Sequence, residues 1–426
     1  MPIWVAYTIA RFLAQNEFFA RMNALPNLFI DFRKYYSMAR MLFSDMREHI
    51  YDPSAQLQFF NLYGSLSPAQ RLLYSEYPPF FFPLVAPFAL IPINQAFIAW
   101  CLLSMTIGLS VVWRLSRTSG LTTTQSWLLT FGVVASIPTW LCVMLGQSSF
   151  FLLGIIGFFC WSLLKNRDTA CGIALALSTI KPQYAPFLCI PLIAQRRWRA
   201  LLAAIVCESA LLIFAALIIG WKNVLHYPHI LLSADTNFAQ YLLVCLRGPL
   251  SSLMPYSEAF NLSIILLIIA CCLLYSLWRG SSVISKGNVP VSAAATPEPE
   301  RAQAPTLSGV NAESTRWLLA VTICSAIALS PHTHAYDCVL LAIPAALTIQ
   351  TLSPTRAMKI SSTSLRLWNL AFLLYPLFAW LMWVLFTPAP LLRFYSLVLF
   401  NAFVLILAFF RAYSERQANP KGSQQT

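Results

Sequence analysis

Long apolar runs separated by short polar connections dominate the chain. The runs cover residues 80–113, 127–145, 150–164, 169–194, 201–219, 260–278, 317–329, 339–352, 367–386 and 391–410. Because a transmembrane helix needs about 20 mostly apolar residues, this pattern predicts an all-α polytopic membrane protein with about 10 to 11 membrane segments. The eleventh would lie in the more polar residues 1–25.

The two longest of these runs contain prolines. Pro83, Pro87 and Pro92 fall in the first part of residues 80–113, and Lys181–Pro182 falls inside residues 169–194. Proline removes a backbone donor and clashes with the preceding helical turn. Each run is therefore predicted to contain a broken, re-entrant or interfacial element.

Composition and charge distribution support the membrane class. The chain is 58% hydrophobic and 10% charged, and its mean hydropathy is +0.66. The net charge of +13 comes from short Lys and Arg clusters between apolar runs, which is typical of cytoplasmic loops and not of a nucleic-acid-binding protein. These clusters are Arg114/Arg117, Lys165/Arg167, Arg196/Arg197/Arg199, Arg279/Lys286/Arg301/Arg316, Arg356/Lys359/Arg366 and Arg411/Arg416.

With the basic clusters inside, the remaining polar connections fall on the extracytoplasmic side of a multi-pass plasma (inner) membrane protein. They are residues 31–77, 145–148, 221–258 and 330–337. The first of these forms an extracytoplasmic loop at about 31–78, for which short loop helices are predicted. The polar and potentially reactive side chains are thus expected on one face of the membrane.

A Ser-, Ala-, Pro- and Glu-rich stretch, residues 280–315, divides the chain. Such a composition buries too little apolar area to fold, so a disordered cytoplasmic linker is predicted. It separates an N-terminal transmembrane module, residues 1–279, from C-terminal helices at 316–411 and a disordered tail at 412–426. Most of the 11 cysteines lie inside apolar runs without CxxC spacing, which favours small buried side chains over disulfide or metal sites.

Asp31 places a charge at a membrane boundary, directly before Arg33 and Lys34. Neighbouring cations favour the ionised carboxylate, which at a wet interface can take a proton from a sugar hydroxyl. The alternative is that Asp31 caps a short helix beginning at Phe32. The two roles are compatible.

Lys181 ends an apolar run on the side opposite to the basic clusters. An unpaired ammonium there is costly, so it is expected to meet a phosphate or a carboxylate; the alternative is snorkelling toward lipid phosphate.

Gln147 lies in a very short connection and can both donate and accept hydrogen bonds, although an ordinary loop residue is the simpler interpretation. Tyr77 precedes the rigid Pro78–Pro79 turn.

His332 and His334 lie in a short connection followed by Asp337. A His-x-His-x-x-Asp string is compatible with a metal site, but no second ligand cluster completes one. We interpret the histidines as hydrogen-bond donors or phosphate contacts, with no metal and no other cofactor expected.

Taken in order, Asp31-Phe-x-x-Tyr35-Tyr36, Tyr51-Asp-Pro53, Tyr77-Pro-Pro79, Gly146-Gln147 and Lys181-Pro182 resemble glycosyltransferase family 87. The resemblance covers about residues 31–205. It implies a GT-C fold, a polyprenyl-phosphate sugar donor with mannose as the first candidate for the sugar, and a catalytic acid that matches Asp31. It further implies that Lys181 with His332 or His334 contacts the donor phosphate, and that Tyr35, Tyr77 and Gln147 line the substrate cavity.

The predicted activity is an inverting transfer of the sugar to a hydroxyl of a glycolipid or glycan acceptor, on the extracytoplasmic side and among membrane lipids. A transporter or flippase of a lipid-linked sugar would also need an intramembrane cation, and a non-catalytic membrane subunit could retain the fold alone. Transporters often consist of two matching halves. The sequence shows no persuasive internal repeat, which favours the enzyme, and no GxGxxG or P-loop sequence.

Overall fold

The computed structural model describes residues 29–63, 75–233, 243–286, 309–349, 370, 398 and 400–410. Within these ranges the chain is helical and forms no strand; a single isolated bridge pairs Leu243 with His334. The predicted all-α membrane class is confirmed. The proposed first span at 1–25, most of the predicted span at 367–386 and the tail at 412–426 lie outside the described residues.

The helices are numbered here in chain order. They are α1 Ile30–Met41, α2 Pro53–Asn61, α3 Phe81–Val85, α4 Ile93–Thr118, α5 Thr123–Val134, α6 Ile137–Leu145, α7 Ser149–Leu164, α8 Asp168–Ser178, α9 Ala185–Ala194, α10 Trp198–Ile219, α11 Trp221–Ser233, α12 Arg247–Leu253, α13 Tyr256–Lys286, α14 Gly309–Leu329, α15 Ala342–Thr348 and α16 Phe400–Phe410. Short 3-10 segments occupy Arg47–His49, Ala86–Leu90, Pro182–Tyr184 and Ala335–Leu341.

Four helices in the described part of the chain, α4, α10, α13 and α14, are long and apolar enough to cross a membrane. A fifth span is formed if α5 and α6, which are bent by 55° relative to each other, count as one. The bend is a departure from the single run predicted at 127–145. Its cause is local, because Ser136 caps α6 by accepting a hydrogen bond from the Thr139 amide, and Pro138 lies in the first turn.

The other proline breaks fall where the sequence places them. The first part of residues 80–113 forms α3 and the 3-10 segment Ala86–Leu90, and the long helix α4 begins at Ile93 directly after Pro92. The run at 169–194 is divided at Lys181, between α8 and the 3-10 segment Pro182–Tyr184. At these positions the backbone leaves the α-helical conformation, and both positions lie at one end of the bundle.

Basic loops gather at the opposite end. Arg316 Nη1, at the start of α14, donates to the Ser119 carbonyl after α4 at 3.2 Å. Arg197, before α10, pairs with Asp168 at the start of α8, with Nη1 and Oδ1 3.1 Å apart. Lys181 follows the C-terminal end of α8, at the opposite end from Asp168. The apolar helices therefore separate the basic loops from the predicted site residues.

Helical residues occupy both ends of the linker that was predicted at 280–315. Helix α13 continues to Lys286 and α14 begins at Gly309; residues 287–308 lie outside the described part. The division of the chain into two modules at this linker stays a prediction.

Helix α8 packs against both α7 and α10, and the contact with α10 is close because α8 carries a glycine there. A Cβ added to Gly172 would lie 2.1 Å from the Ala200 carbonyl oxygen of α10 and 2.7 Å from the Ala203 Cβ. Small residues allow helix backbones to approach in this way in a membrane. The approach fixes the position of α8, whose C-terminal end leads to Lys181.

We expect Gly172→Ala to destabilise the protein by about 1–3 kcal/mol, because α8 and α10 must separate to admit the methyl group. The measurement is thermal unfolding in detergent. Gly132→Ala on α5 is the matched control, since no atom lies within 4 Å of its added Cβ. Equal melting temperatures for the two variants would contradict the close contact.

Candidate functional site

Asp31 lies in the first turn of α1, and its carboxylate contacts side chains. Gln147 Nε2 donates to Asp31 Oδ2 at 2.7 Å, and Lys34 Nζ lies 3.5 Å from Asp31 Oδ1. The helix begins at Ile30, one residue earlier than Asp31, and has no side-chain cap. The capping alternative is therefore not what the structure shows. The Asp31 side chain keeps 18% of its surface exposed.

Gly146 brings Gln147 to Asp31. Its φ of +70° is in the left-handed region that favours glycine, and an added Cβ would lie 2.4 Å from the Phe32 Cβ of α1. The Trp100 indole N–H donates to the Gly146 carbonyl at 3.1 Å. Gly146 therefore lets the turn between α6 and α7 press against α1, which is why the dipeptide begins with glycine.

Two tyrosines complete the environment of Gln147. The Tyr35 and Tyr77 hydroxyls lie 2.7 Å from each other and 3.1 and 3.3 Å from Gln147 Oε1, to which either hydroxyl can donate. The Tyr77 hydroxyl also lies 3.0 Å from Ser148 Oγ. Burial raises the pKa of both tyrosines, and the neighbouring Tyr77 hydroxyl raises the pKa of Tyr35 further, so both remain neutral donors. Since Gln147 Oε1 accepts from them, its amide nitrogen must face Asp31.

Lys181 meets a carboxylate. Its ammonium lies 2.5 Å from Asp337 Oδ1 and donates to Ser149 Oγ at 3.1 Å, with the Tyr336 ring centroid at 4.8 Å. Ser149 Oγ donates to the same Asp337 oxygen at 2.6 Å. Lys181 is only 6% exposed, so the snorkelling alternative is wrong. Of the two expected partners, phosphate and carboxylate, the structure supplies the carboxylate.

The two histidines contact each other. Their Nε2 atoms are 3.1 Å apart, so one ring donates and the other accepts, and both cannot be protonated while this bond persists. Burial lowers the pKa of His334 well below its usual range, and His332, Lys181 and Lys34 lower it further. His334 is therefore neutral at physiological pH, and His332 is the more exposed of the two.

Backbone contacts from distant parts of the chain hold this histidine segment. The Val244 amide donates to the Thr333 carbonyl at 2.8 Å, and Gln183 Nε2 donates to the His332 carbonyl at 2.9 Å. The His334 amide in turn donates to Asp337 Oδ2 at 3.3 Å. The segment is thus fixed against the break that follows Lys181.

The seven predicted site residues fall into two connected networks. Asp31, Tyr35, Tyr77 and Gln147 form one, and Lys181, His332 and His334 join the other through Asp337. The networks meet at the consecutive residues Gln147, Ser148 and Ser149. The structure thus brings the predicted residues together at one end of the bundle, and their roles stay predictions.

Sequence reasoning did not select Lys34, Ser148, Ser149 or Asp337 as site residues. The available signal for Asp337 was an acid in the same short connection as the histidines; the serines carried none, because small hydroxyl residues are common in turns. Among the described residues, no group of three or more His, Cys, Asp or Glu side chains is arranged to hold a metal ion.

Asp337→Asn removes the countercharge of a buried ammonium. We expect a loss of about 3–5 kcal/mol of stability, which is typical when one partner of a buried ion pair is removed. The double variant Lys181→Met/Asp337→Leu, which removes both charges, should be more stable than Asp337→Asn. Thermal unfolding in detergent measures both; a single variant as stable as the unmodified protein would show that the pair is dispensable.

Comparison with known proteins connects this geometry to a family. The model of glycosyltransferase family 87 matches residues 75–296, just over half of the chain. A comparison with curated proteins returned no match. The matched region contains Tyr77, Gln147 and Lys181, whereas Asp31 and the histidines flank it. With a family match over more than half its length and an all-helical membrane fold, the chain belongs to glycosyltransferase family 87 and is a membrane glycosyltransferase.

Proposed function

We propose that the protein transfers a sugar from a polyprenyl-phosphate donor to a hydroxyl of a glycolipid or glycan acceptor, and that mannose is the first candidate for this sugar. Asp31 is the proposed general base. The observation that carries the proposal is the Asp31 carboxylate itself. It is partly exposed, it is oriented by Gln147 Nε2 at 2.7 Å, and it lies at the end of the bundle away from the basic loops.

In this mechanism Asp31 takes the proton of the acceptor hydroxyl as the oxygen attacks the anomeric carbon. The bond between that carbon and the phosphate oxygen breaks, and its electron pair remains on the phosphate. Attack from the face opposite to the leaving group inverts the configuration. Gln147 is the positioning residue, because its amide donates to Asp31 Oδ2 and leaves Oδ1, which lies 3.5 Å from Lys34 Nζ, for the acceptor proton.

The sidedness of the reaction follows from the charge distribution. Lys and Arg are enriched in cytoplasmic loops, and the loops carrying Arg197 and Arg316 lie at the opposite end from Asp31. The site is therefore proposed to face the extracytoplasmic side of the plasma (inner) membrane, within a GT-C-type bundle. A donor with an isoprenoid tail partitions into the bilayer, where the apolar helices bordering the site would contact the tail.

The donor phosphate is proposed to lie near the histidine segment, whose His332 is partly exposed. Lys181 was predicted to contact the same phosphate. Its ammonium already has the Asp337 carboxylate and the Ser149 hydroxyl as partners, so we propose that it acts by anchoring the segment that carries His332. Family membership favours this transferase over a transporter or flippase of a lipid-linked sugar.

Asp31→Asn keeps the size of the side chain and removes the base. We expect transfer from radiolabelled polyprenyl-phosphate mannose to fall by at least about 100-fold, the lower range for a positioned general base, while the protein inserts and purifies normally. Asp45→Asn, in the turn after α1, is the matched control and should retain activity. Full activity of the Asp31 variant would remove the carboxylate from the mechanism.

A further inference from the structure

Among the described residues of the two networks, the charged side chains are those of Asp31, Lys34, Lys181 and Asp337. The buried Arg247 donates through Nη1 to the Pro331 carbonyl beside the histidine segment at 3.1 Å. Asp337 and Lys181 form one pair at 2.5 Å, whereas Asp31 and Lys34 form a second, looser pair at 3.5 Å. His334 is neutral. A sugar phosphodiester carries a negative charge, and the phosphate released from it carries more, so the site must offer a cation that is not already neutralised.

Lys181 is poorly suited to this task. An ammonium group has three donors, and those of Lys181 face a carboxylate oxygen, a hydroxyl and the Tyr336 ring. Its side chain is 8% exposed and that of Asp337 is 1% exposed. Moving Lys181 toward a phosphate would leave a buried carboxylate without its partner, which is costly.

Lys34 differs in each respect. Within the described part of the chain its recorded polar contact is the long one to Asp31, and its side chain keeps 13% of its surface exposed. It lies one helical turn after Asp31 on α1, and its charge is among those that disfavour protonation of His334. Lys34 therefore lies beside the proposed base, and its single long contact leaves ammonium donors available.

We propose that Lys34 binds the phosphate of the lipid-linked sugar donor; this inference rests on the function proposed above. In the resting site Lys34 is paired with the Asp31 carboxylate. When the donor binds, the ammonium bridges that carboxylate and a phosphate oxygen, and it keeps the two anions from repelling each other across the reacting carbon.

The charge balance of the reaction suits this position. The acceptor O–H bond breaks and its proton goes to Asp31, which becomes neutral. The acceptor oxygen forms a bond to the anomeric carbon, and the electron pair of the broken carbon–oxygen bond adds one negative charge to the leaving phosphate. Negative charge thus moves from Asp31 to the phosphate, and Lys34 can interact with both, so its stabilisation increases toward the transition state.

The alternative is that Lys34 serves Asp31 alone, as a positioning residue that orients the carboxylate. The two roles differ in the binding of phosphate without a sugar. A phosphate-binding lysine contributes to the affinity for farnesyl phosphate, which contains the isoprenoid and the phosphate but no reacting carbon. A lysine that only orients Asp31 contributes nothing to that affinity.

The experiment measures farnesyl phosphate binding to the full-length protein in detergent by isothermal titration calorimetry. We expect Lys34→Met to weaken binding by about tenfold or more, the effect of losing one charge-assisted hydrogen bond. Lys34→Arg should bind within a few-fold of the unmodified protein, since it keeps the charge. Lys222→Met, an exposed lysine on α11, is the matched control, and farnesol measures the contribution of the tail alone.

A second variant is expected to increase the affinity for farnesyl phosphate. Asp31→Asn removes the charge that competes for Lys34, so farnesyl phosphate should bind more tightly to it than to the unmodified protein. That gain should vanish in Asp31→Asn/Lys34→Met. If Lys34→Met does not fold, the gain in Asp31→Asn and the Lys34→Arg affinity decide the matter.

Unchanged farnesyl phosphate affinity in Lys34→Met, or no gain in Asp31→Asn, would overturn the assignment of Lys34. Neither result bears on the transferase itself, which depends on whether Asp31→Asn loses activity. A catalytically active Asp31→Asn variant would instead remove the proposed base, whatever the phosphate affinities are.

Discussion

The site depends on one constraint: an ammonium group buried in an apolar bundle needs a countercharge. Lys181 is at the break between α8 and the following 3-10 segment, and Asp337 supplies the charge from a part of the chain more than 150 residues away. Forming this pair requires the connection after α14 to lie against the turn at Ser149. The histidine segment, which precedes Asp337 directly, is positioned by the same contact.

The turn at residues 146–149 connects the two halves of the site. On one side Gln147 holds Asp31, and on the other Ser149 bonds to Asp337. Because these residues are adjacent, the geometry of one half constrains the other. The close approach of Gly146 to Phe32 sets the distance between the turn and α1, and a side chain there would displace the amide that orients the carboxylate.

The division of labour between the two lysines follows from their surroundings. The tight, buried pair stabilises the architecture, since moving either partner exposes an uncompensated charge in a medium of low polarity. The loose, partly exposed pair leaves a carboxylate and an ammonium open to ligands. Of these four groups, the family match at residues 75–296 includes only Lys181.

The sequence by itself determined the membrane class, the proline breaks near Pro92 and Lys181, and the concentration of polar residues away from the basic loops. Each follows from local physics: the length of apolar runs, the missing amide of proline, and the distribution of Lys and Arg. It also selected Asp31, Gln147 and Lys181 as candidate site residues, because charge or hydrogen-bonding capacity at a membrane boundary is visible without coordinates. The bend between α5 and α6 was missed, since a capping serine is inconspicuous in an apolar run.

Only the tertiary structure decided which anion Lys181 meets, which way Gln147 faces, and that Lys34 is the lysine with donors to spare. These are questions of distance between residues far apart in the chain. A sequence shows that a buried cation needs a partner, but a phosphate and a carboxylate satisfy that need equally well. The partner of Lys181 is Asp337 because the segment after α14 lies against the C-terminal end of α8. That contact depends on the packing of the whole bundle and not on a local sequence pattern.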